Sequence, residues 1–83
     1  MFYVYILRSK KDGSYYVGYT SHLQKRVERH NQGRSKYTKG KVPLYLVYYK
    51  KFQTKREAMK MEKLIKSFKG GEAFKTLINT KSA

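Results

Sequence analysis

Five carboxylates stand against twenty lysines and arginines in this 83-residue chain, so each acid can be assigned from its surroundings. Asp12 sits in an Asp-Gly turn, and Glu57 follows Thr54 by three as in a capping box. Glu72 opens a helix, where the dipole favours an anion, and Glu28 falls away from the Leu23 and Val27 stripe of its helix. Glu62 has no such employment. It lies four residues after Ala58 and three before Ile65, inside the apolar stripe of its own helix. Burying a carboxylate costs several kcal/mol unless a partner compensates it. Two partners would serve: one of the many cations in an ion pair, or a divalent metal.

Nine tyrosines are too many for one role, and most must pack or reach water from edge strands. Tyr5 and Tyr16 stand out because strand parity puts them on one face with Gly18. A glycine weakens a strand unless a bulge forms or something needs the space above it, such as a phosphate or metal. Arg26 and His30 are four apart on a short helix and flank its apolar stripe. His30 can bind phosphate or transfer a proton, since a reference pKa near 6.5 allows both forms at neutral pH. Taken alone it reads as a surface histidine, and His22, just after a cap, reads as solvated. No Gly-rich phosphate loop, Ser-His-Asp set or paired-carboxylate motif appears.

The charge says what these groups would meet. A formal net charge of +15 repels itself in a small fold and attracts polyanions, nucleic acid before an anionic membrane or an acidic protein. Charge alone gives phosphate binding and does not separate a binder from an enzyme. Between residues 32 and 42, Arg34, Lys36, Lys39 and Lys41 surround Tyr37, with no apolar position before Val42. Cations interleaved with a ring suit a phosphate chain with a stacked base, and equally suit a solvated basic loop. Cysteine is absent, which excludes disulfides, Cys-based zinc sites and thiol catalysis, and permits a reducing location. The longest uncharged apolar runs are far below the roughly 20 residues of a membrane span, and no basic n-region opens the chain. The expectation is a cytoplasmic protein with one domain over 1–83, its core within 1–68 and a helix and frayed tail over 69–83.

The elements that must position these residues follow from pattern. Phe2 to Leu7 and Tyr15 to Thr20 are β-branched and aromatic runs around a turn, an antiparallel pair. With Asp12-Gly13 as a two-residue loop, Tyr5 faces Thr20, Leu7 faces Gly18 and Ser9 faces Tyr16. A four-residue loop keeps the shared face, and an odd-length loop destroys it. Ser21 with Gln24 predicts a capping box for a helix from His22 to Asn31, stopped by Gly33. Pro43 to Phe52 predicts the third strand. Thr54 with Glu57 caps a second helix that reaches about Phe68, its inward stripe Ala58, Met61, Ile65 and Phe68, before Gly70-Gly71. A last helix from Glu72 to about Asn79 offers Phe74, Leu77 and Ile78 for packing.

Taken in order, Tyr3-Val4-Tyr5, Tyr16-Val17-Gly18, Arg26, His30 and Glu62 resemble the GIY-YIG nuclease superfamily. Tyr3 to Leu7, His30-Asn31-Gln32-Gly33 and Lys36-Tyr37-Thr38 are similar to its short stand-alone members. The namesake triplets are altered, yet Tyr5, Tyr16 and Gly18 remain. The resemblance implies an α+β fold, a small three-stranded antiparallel sheet flanked by about three helices in the order β-β-α-β-α-α. It implies a metal-dependent endonuclease that hydrolyses DNA phosphodiester bonds with one Mg²⁺ or Mn²⁺, with branched, flapped or single-stranded DNA and repair or recombination as the family-level setting. In it Glu62 would hold the metal and Arg26 would contact the scissile phosphate. Tyr5 would be the general base for water, Tyr16 would orient water or phosphate, and His30 would assist proton transfer or bind phosphate. Gly18, Lys36, Tyr37 and Lys39 would meet nucleic acid. Many relatives join this module to a separate DNA-binding domain, for which this chain has no room, so substrate choice stays open, with an unidentified protein partner as one source of specificity. The alternative reading is a non-catalytic DNA- or RNA-binding module that keeps the nuclease fold. A structural accessory of a ribonucleoprotein is a third reading, supported only by charge.

Overall fold

The computed structural model describes residues 1–33, 39–68 and 71–80. Strands β1 (Phe2–Ser9), β2 (Tyr15–Thr20) and β3 (Leu44–Phe52) form one antiparallel sheet in the order β2-β1-β3. Helices α1 (Leu23–Asn31), α2 (Lys55–Ser67) and α3 (Glu72–Thr80) complete an α+β fold. β1 is the central strand, which is why its run of Val4 to Leu7 is buried on both faces.

Alternation along β1 divides the interior into two layers. Val4 and Ile6 join Tyr48, Ala58, Ile65 and Phe74 in the layer under α2 and α3. Tyr5 and Leu7 join Leu44 on the opposite face, with Leu23 and Val27 of α1 packed over them. Phe74 is buried and meets Tyr15 edge to face at 5.0 Å, so α3 belongs to the same core as the strands.

The hairpin differs from its predicted register. Tyr5 pairs with Gly18, Leu7 with Tyr16 and Tyr3 with Thr20, a shift of two from a two-residue turn. The cause is Ser9, whose hydroxyl accepts the backbone N–H of Lys11 and Asp12 and donates to Lys41 O at 2.6 Å. Ser9 N also donates to Ser14 O at 2.9 Å, which closes a loop of Lys10 to Gly13. Gly13 carries φ +77° there, where a side chain would be strained. The even-length loop preserves parity, and Tyr5, Tyr16 and Gly18 do share a face.

The two helix starts also part company. Thr54 accepts from Glu57 N at 3.2 Å while Glu57 Oε1 accepts from Thr54 N, a complete capping box. The box predicted at Ser21 and Gln24 does not form: His22 is the N-cap without a side-chain cap bond, and Ser21 Oγ turns to His22 Nδ1 at 2.9 Å. Thr20, buried at the strand end, takes the His22 N–H instead and holds the chain off the capping geometry. We therefore expect Thr54→Ala to cost about 1 kcal/mol and Ser21→Ala under about 0.5 kcal/mol in urea unfolding. Equal costs would contradict this assignment.

Candidate active site

Tyr5 is the centre of the site, and its neighbours on either strand explain its pose. Across β1 and β2 it faces Gly18, and across β1 and β3 it faces Tyr49. A Cβ at Gly18 would lie 2.5 Å from Tyr5 Oη and 2.8 Å from Cζ. The phenol thus lies across the glycine. The pairing of β1 with β2 has no register break, so Gly18 is not a bulge, and the space above it is filled by the Tyr5 ring rather than left open to an ion.

This pose carries the phenol toward the edge strand β2, into a cleft of ≈ 590 Å³. Tyr5, Gly18, Arg26 and Glu62 line it, from β1, β2, α1 and α2 in turn. Arg26 lies close enough to draw the phenol toward ionisation by its charge, and Glu62 close enough to oppose it. Burial is the largest influence and raises the Tyr5 pKa above its ordinary value of 10.0, so the hydroxyl is protonated at neutral pH. Glu62 is half-buried rather than sealed in the apolar stripe, and its carboxylate meets Lys66 one turn on at 3.3 Å. Because Lys66 is mostly exposed, this pair contributes little to stability and leaves the carboxylate accessible from the cleft.

His30 is not the surface histidine that the sequence suggests in isolation. It is buried, with Nε2 3.4 Å from Tyr5 Oη and the two rings at 63°. Burial first, then the charges of Arg26 and Arg29, lowers its pKa from 6.5. The folded state therefore binds this proton less readily than the unfolded chain, and stability falls as pH drops below 6.5 toward the folded pKa. We expect the urea midpoint to decline between pH 7.5 and 5.5, and His30→Gln to flatten that decline. An unchanged slope in the variant would refute the assignment.

Tyr16 shares the face of Tyr5 but not the cleft. Its hydroxyl receives a hydrogen bond from Ser14 Oγ at 3.2 Å, and its ring packs beside Leu7 and Leu44. Lys36 and Tyr37 lie outside the described residues, and Lys39 opens the 3₁₀ turn Lys39–Lys41 with its side chain likewise outside the description. Sequence reasoning missed Lys55, His22 and Ser21 as lining residues. It also missed the role of Asn31, which donates from Nδ2 to Leu44 O at 2.9 Å and accepts Leu44 N–H on Oδ1 at 2.6 Å. That two-way bond ties the end of α1 to the start of β3 and holds His30 against Tyr5. An Asn at a helix exit before Gly33 was the available signal, but its partner is a backbone 13 residues away.

The GIY-YIG catalytic domain family matches residues 1–72, which span every residue of the cleft. The chain belongs to this family. The GIY-YIG family is one of nucleases. Within it, the chain is 46% identical over 83 residues to a UPF0213 protein of Clostridium perfringens, covering 99% of this chain and 87% of that one. It is 49% identical over 67 residues to a UPF0213 protein of Staphylococcus saprophyticus, covering 80% of each. The solution NMR structure of a UPF0213 protein from Bacillus halodurans aligns with 38% identity and a TM-score of 0.49, over 99% of this chain and 100% of that one. No helix among the described residues of this GIY-YIG domain is long and apolar enough to cross a membrane.

Proposed function

We propose that this GIY-YIG domain is an endonuclease that hydrolyses phosphodiester bonds of DNA with the help of one divalent cation. The observation that carries the reading is the convergence of Tyr5, Arg26 and Glu62 on one cleft from elements far apart in sequence. Among the described residues no three His, Asp or Glu side chains gather to form a full metal cage. A single carboxylate facing an open cleft fits Mg²⁺ or Mn²⁺, which keeps several waters and takes further oxygens from the substrate phosphate. Glu62 would hold that ion. When bound, it supplies Lewis-acid charge for the phosphate and acidifies a water.

The chain's own residues would do the rest. Arg26 binds a non-bridging phosphate oxygen and stabilises the charge that grows there, a fixed electrostatic contribution. Tyr5 Oη takes a proton from the attacking water and passes its own to His30 Nε2, 3.4 Å away; burial and the charges of Arg26 and Arg29 keep this imidazole neutral beforehand and oppose its charge once protonated, so it holds the proton only in passing. The water oxygen bonds to phosphorus, the bond to the leaving sugar oxygen breaks, and that oxygen takes a proton from solvent while His30 returns its own to solvent. The relay answers the raised pKa of Tyr5: the phenol need never exist as a free phenolate. Lys55 and His22 add polar groups to the cleft wall around an anion. Tyr16, Lys36, Tyr37 and Lys39 are proposed to guide the flanking strand, and repair or recombination of branched or single-stranded DNA is the setting such a compact nuclease suits.

The test is a gel assay on plasmid, linear duplex, single-stranded and branched DNA with Mg²⁺ or Mn²⁺ and with EDTA. Cutting that requires the ion supports the proposal and selects the substrate. Binding without turnover on every substrate would replace it with a non-catalytic nucleic-acid-binding module.

A further inference from the structure

Beside the cleft lies a second recess of ≈ 450 Å³, lined by Tyr3, Tyr49, Leu23, Gln24 and Lys25, and sharing Ser21 and His22 with the first. Its volume is in the range of about 300–1,000 Å³ that small ligands occupy. The catalytic scheme above uses none of its aromatic residues. Tyr3 and Tyr49 project from the same sheet face as Tyr5: Tyr3 lies two residues before it on β1, and Tyr49 is its partner on β3. The rings stand 6.4 Å apart at 56°, a tilted pair in mutual contact, so a base would stack on the exposed Tyr49 ring and not between the two. Tyr49 is 44% exposed although it sits next to Tyr5, which is buried.

An exposed ring of this size beside a site is more informative than a scattered surface residue. Three features say what would cover it. The recess and the cleft share Ser21 and His22 in their lining, so their occupants would be immediate neighbours. Among the described lining residues the one permanent charge is Lys25, and Lys51 is the β3 partner of Tyr3, so the margin favours an anion. A two-residue step along β1 takes Tyr3 to Tyr5, about 7 Å, a distance that one nucleotide of an extended strand can bridge.

We propose that the Tyr3 and Tyr49 recess is a base-stacking subsite, which takes an unpaired nucleotide next to the phosphate held in the cleft. This rests on the nuclease reading for its neighbour site and gives a physical contact by which a strand locally single-stranded at the cut would be chosen over a duplex. A base held in a duplex would stay stacked on its neighbours and could not lie on the Tyr49 ring. Stacking on an aromatic ring tolerates any base, so the subsite selects structure, not sequence. Lys25 and Lys51 attract the backbone without reading it.

The test reads binding, not cutting, so that its failure is separable from failure of the nuclease assay. A short single-stranded oligodeoxynucleotide carrying 2-aminopurine is titrated with the full chain in EDTA. Stacking quenches the fluorophore, and the expected result is quenching on the wild-type chain. Tyr49→Ala should lower affinity about 5- to 100-fold and abolish quenching, whereas Tyr49→Phe keeps both. The salt dependence of affinity should be unchanged in Tyr49→Ala, because no phosphate contact is lost. Tyr49 is exposed, so neither change threatens the fold. Affinity for the oligonucleotide within twofold of wild type in Tyr49→Ala, or a fluorophore that stays bright on the wild-type chain, would overturn the proposal. So would a Tyr49→Ala variant that converts a dimer to a monomer in sedimentation while quenching is absent, since a second copy then covers the recess.

Discussion

Glu62→Ala is expected to lower metal-dependent DNA cleavage by roughly 10³-fold or more while leaving DNA binding intact. The size follows from what the carboxylate would hold: a divalent ion stabilises developing charge by several kcal/mol, and each 1.36 kcal/mol is about tenfold in rate. The fold should tolerate the change. Glu62 is half-buried, its ionic partner Lys66 is largely exposed, and such a pair is worth about 0–1 kcal/mol. Affinity for DNA should stay level or rise slightly, because an anion is removed from a cleft that already holds Arg26 and Lys55. Glu62→Gln should lose as much activity as Glu62→Ala, since the amide keeps the shape and lacks the charge. Gel cleavage and fluorescence-anisotropy binding on the same preparations decide the matter. Full cutting in either variant would remove Glu62 from catalysis, and a parallel loss of binding would make it a folding residue.

Gly18→Ala is expected to be the second severe change, and for a reason unrelated to backbone freedom. The new methyl group would meet Tyr5 Oη at 2.5 Å and Cζ at 2.8 Å, closer than such contacts occur. Tyr5 is buried and locked between Leu7, Val27 and its neighbours, so the ring has little room to retreat. Overpacking of this kind costs about 1–3 kcal/mol. The functional cost should be larger, since displacing the hydroxyl by even an ångström breaks its 3.4 Å approach to His30 and its position beside Arg26. Loss of about 10²-fold in cleavage is expected. A double-mutant cycle separates the effects. In a Tyr5→Phe background the nearest atom is gone, so the stability cost of Gly18→Ala should shrink measurably. Strictly additive costs would show that the Tyr5 hydroxyl is not the group the methyl displaces.

How much of this was legible beforehand depended on the range of the interaction involved. Thr54 and Glu57 announce their cap because both partners sit within one turn, and the same pattern at Ser21 and Gln24 misleads because buried Thr20 intercepts the His22 N–H. The shared face of Tyr5, Tyr16 and Gly18 was readable, since strand parity survives any even-length turn. The pairing partner of Tyr5 was not, because the hairpin length is set by Ser9 bonding both its own turn and Lys41 on a distant segment. His30 shows the same divide: its spacing from Arg26 is local, while its burial against Tyr5 depends on how α1 is docked by Asn31 onto β3.

The amino-acid sequence by itself determined the strands and helices, the +15 charge that favours a polyanionic partner, the isolation of Glu62 among structurally employed acids, and membership of the GIY-YIG family. These rest on periodicity, composition and residue order, which are properties of the chain. Only the tertiary structure decided that Gly18 makes room for the Tyr5 phenol, that Tyr16 stands outside the cleft, and that Tyr3 and Tyr49 line a recess beside it. Those outcomes follow from register, burial and helix docking, where contacts between residues remote in sequence compete for the same space.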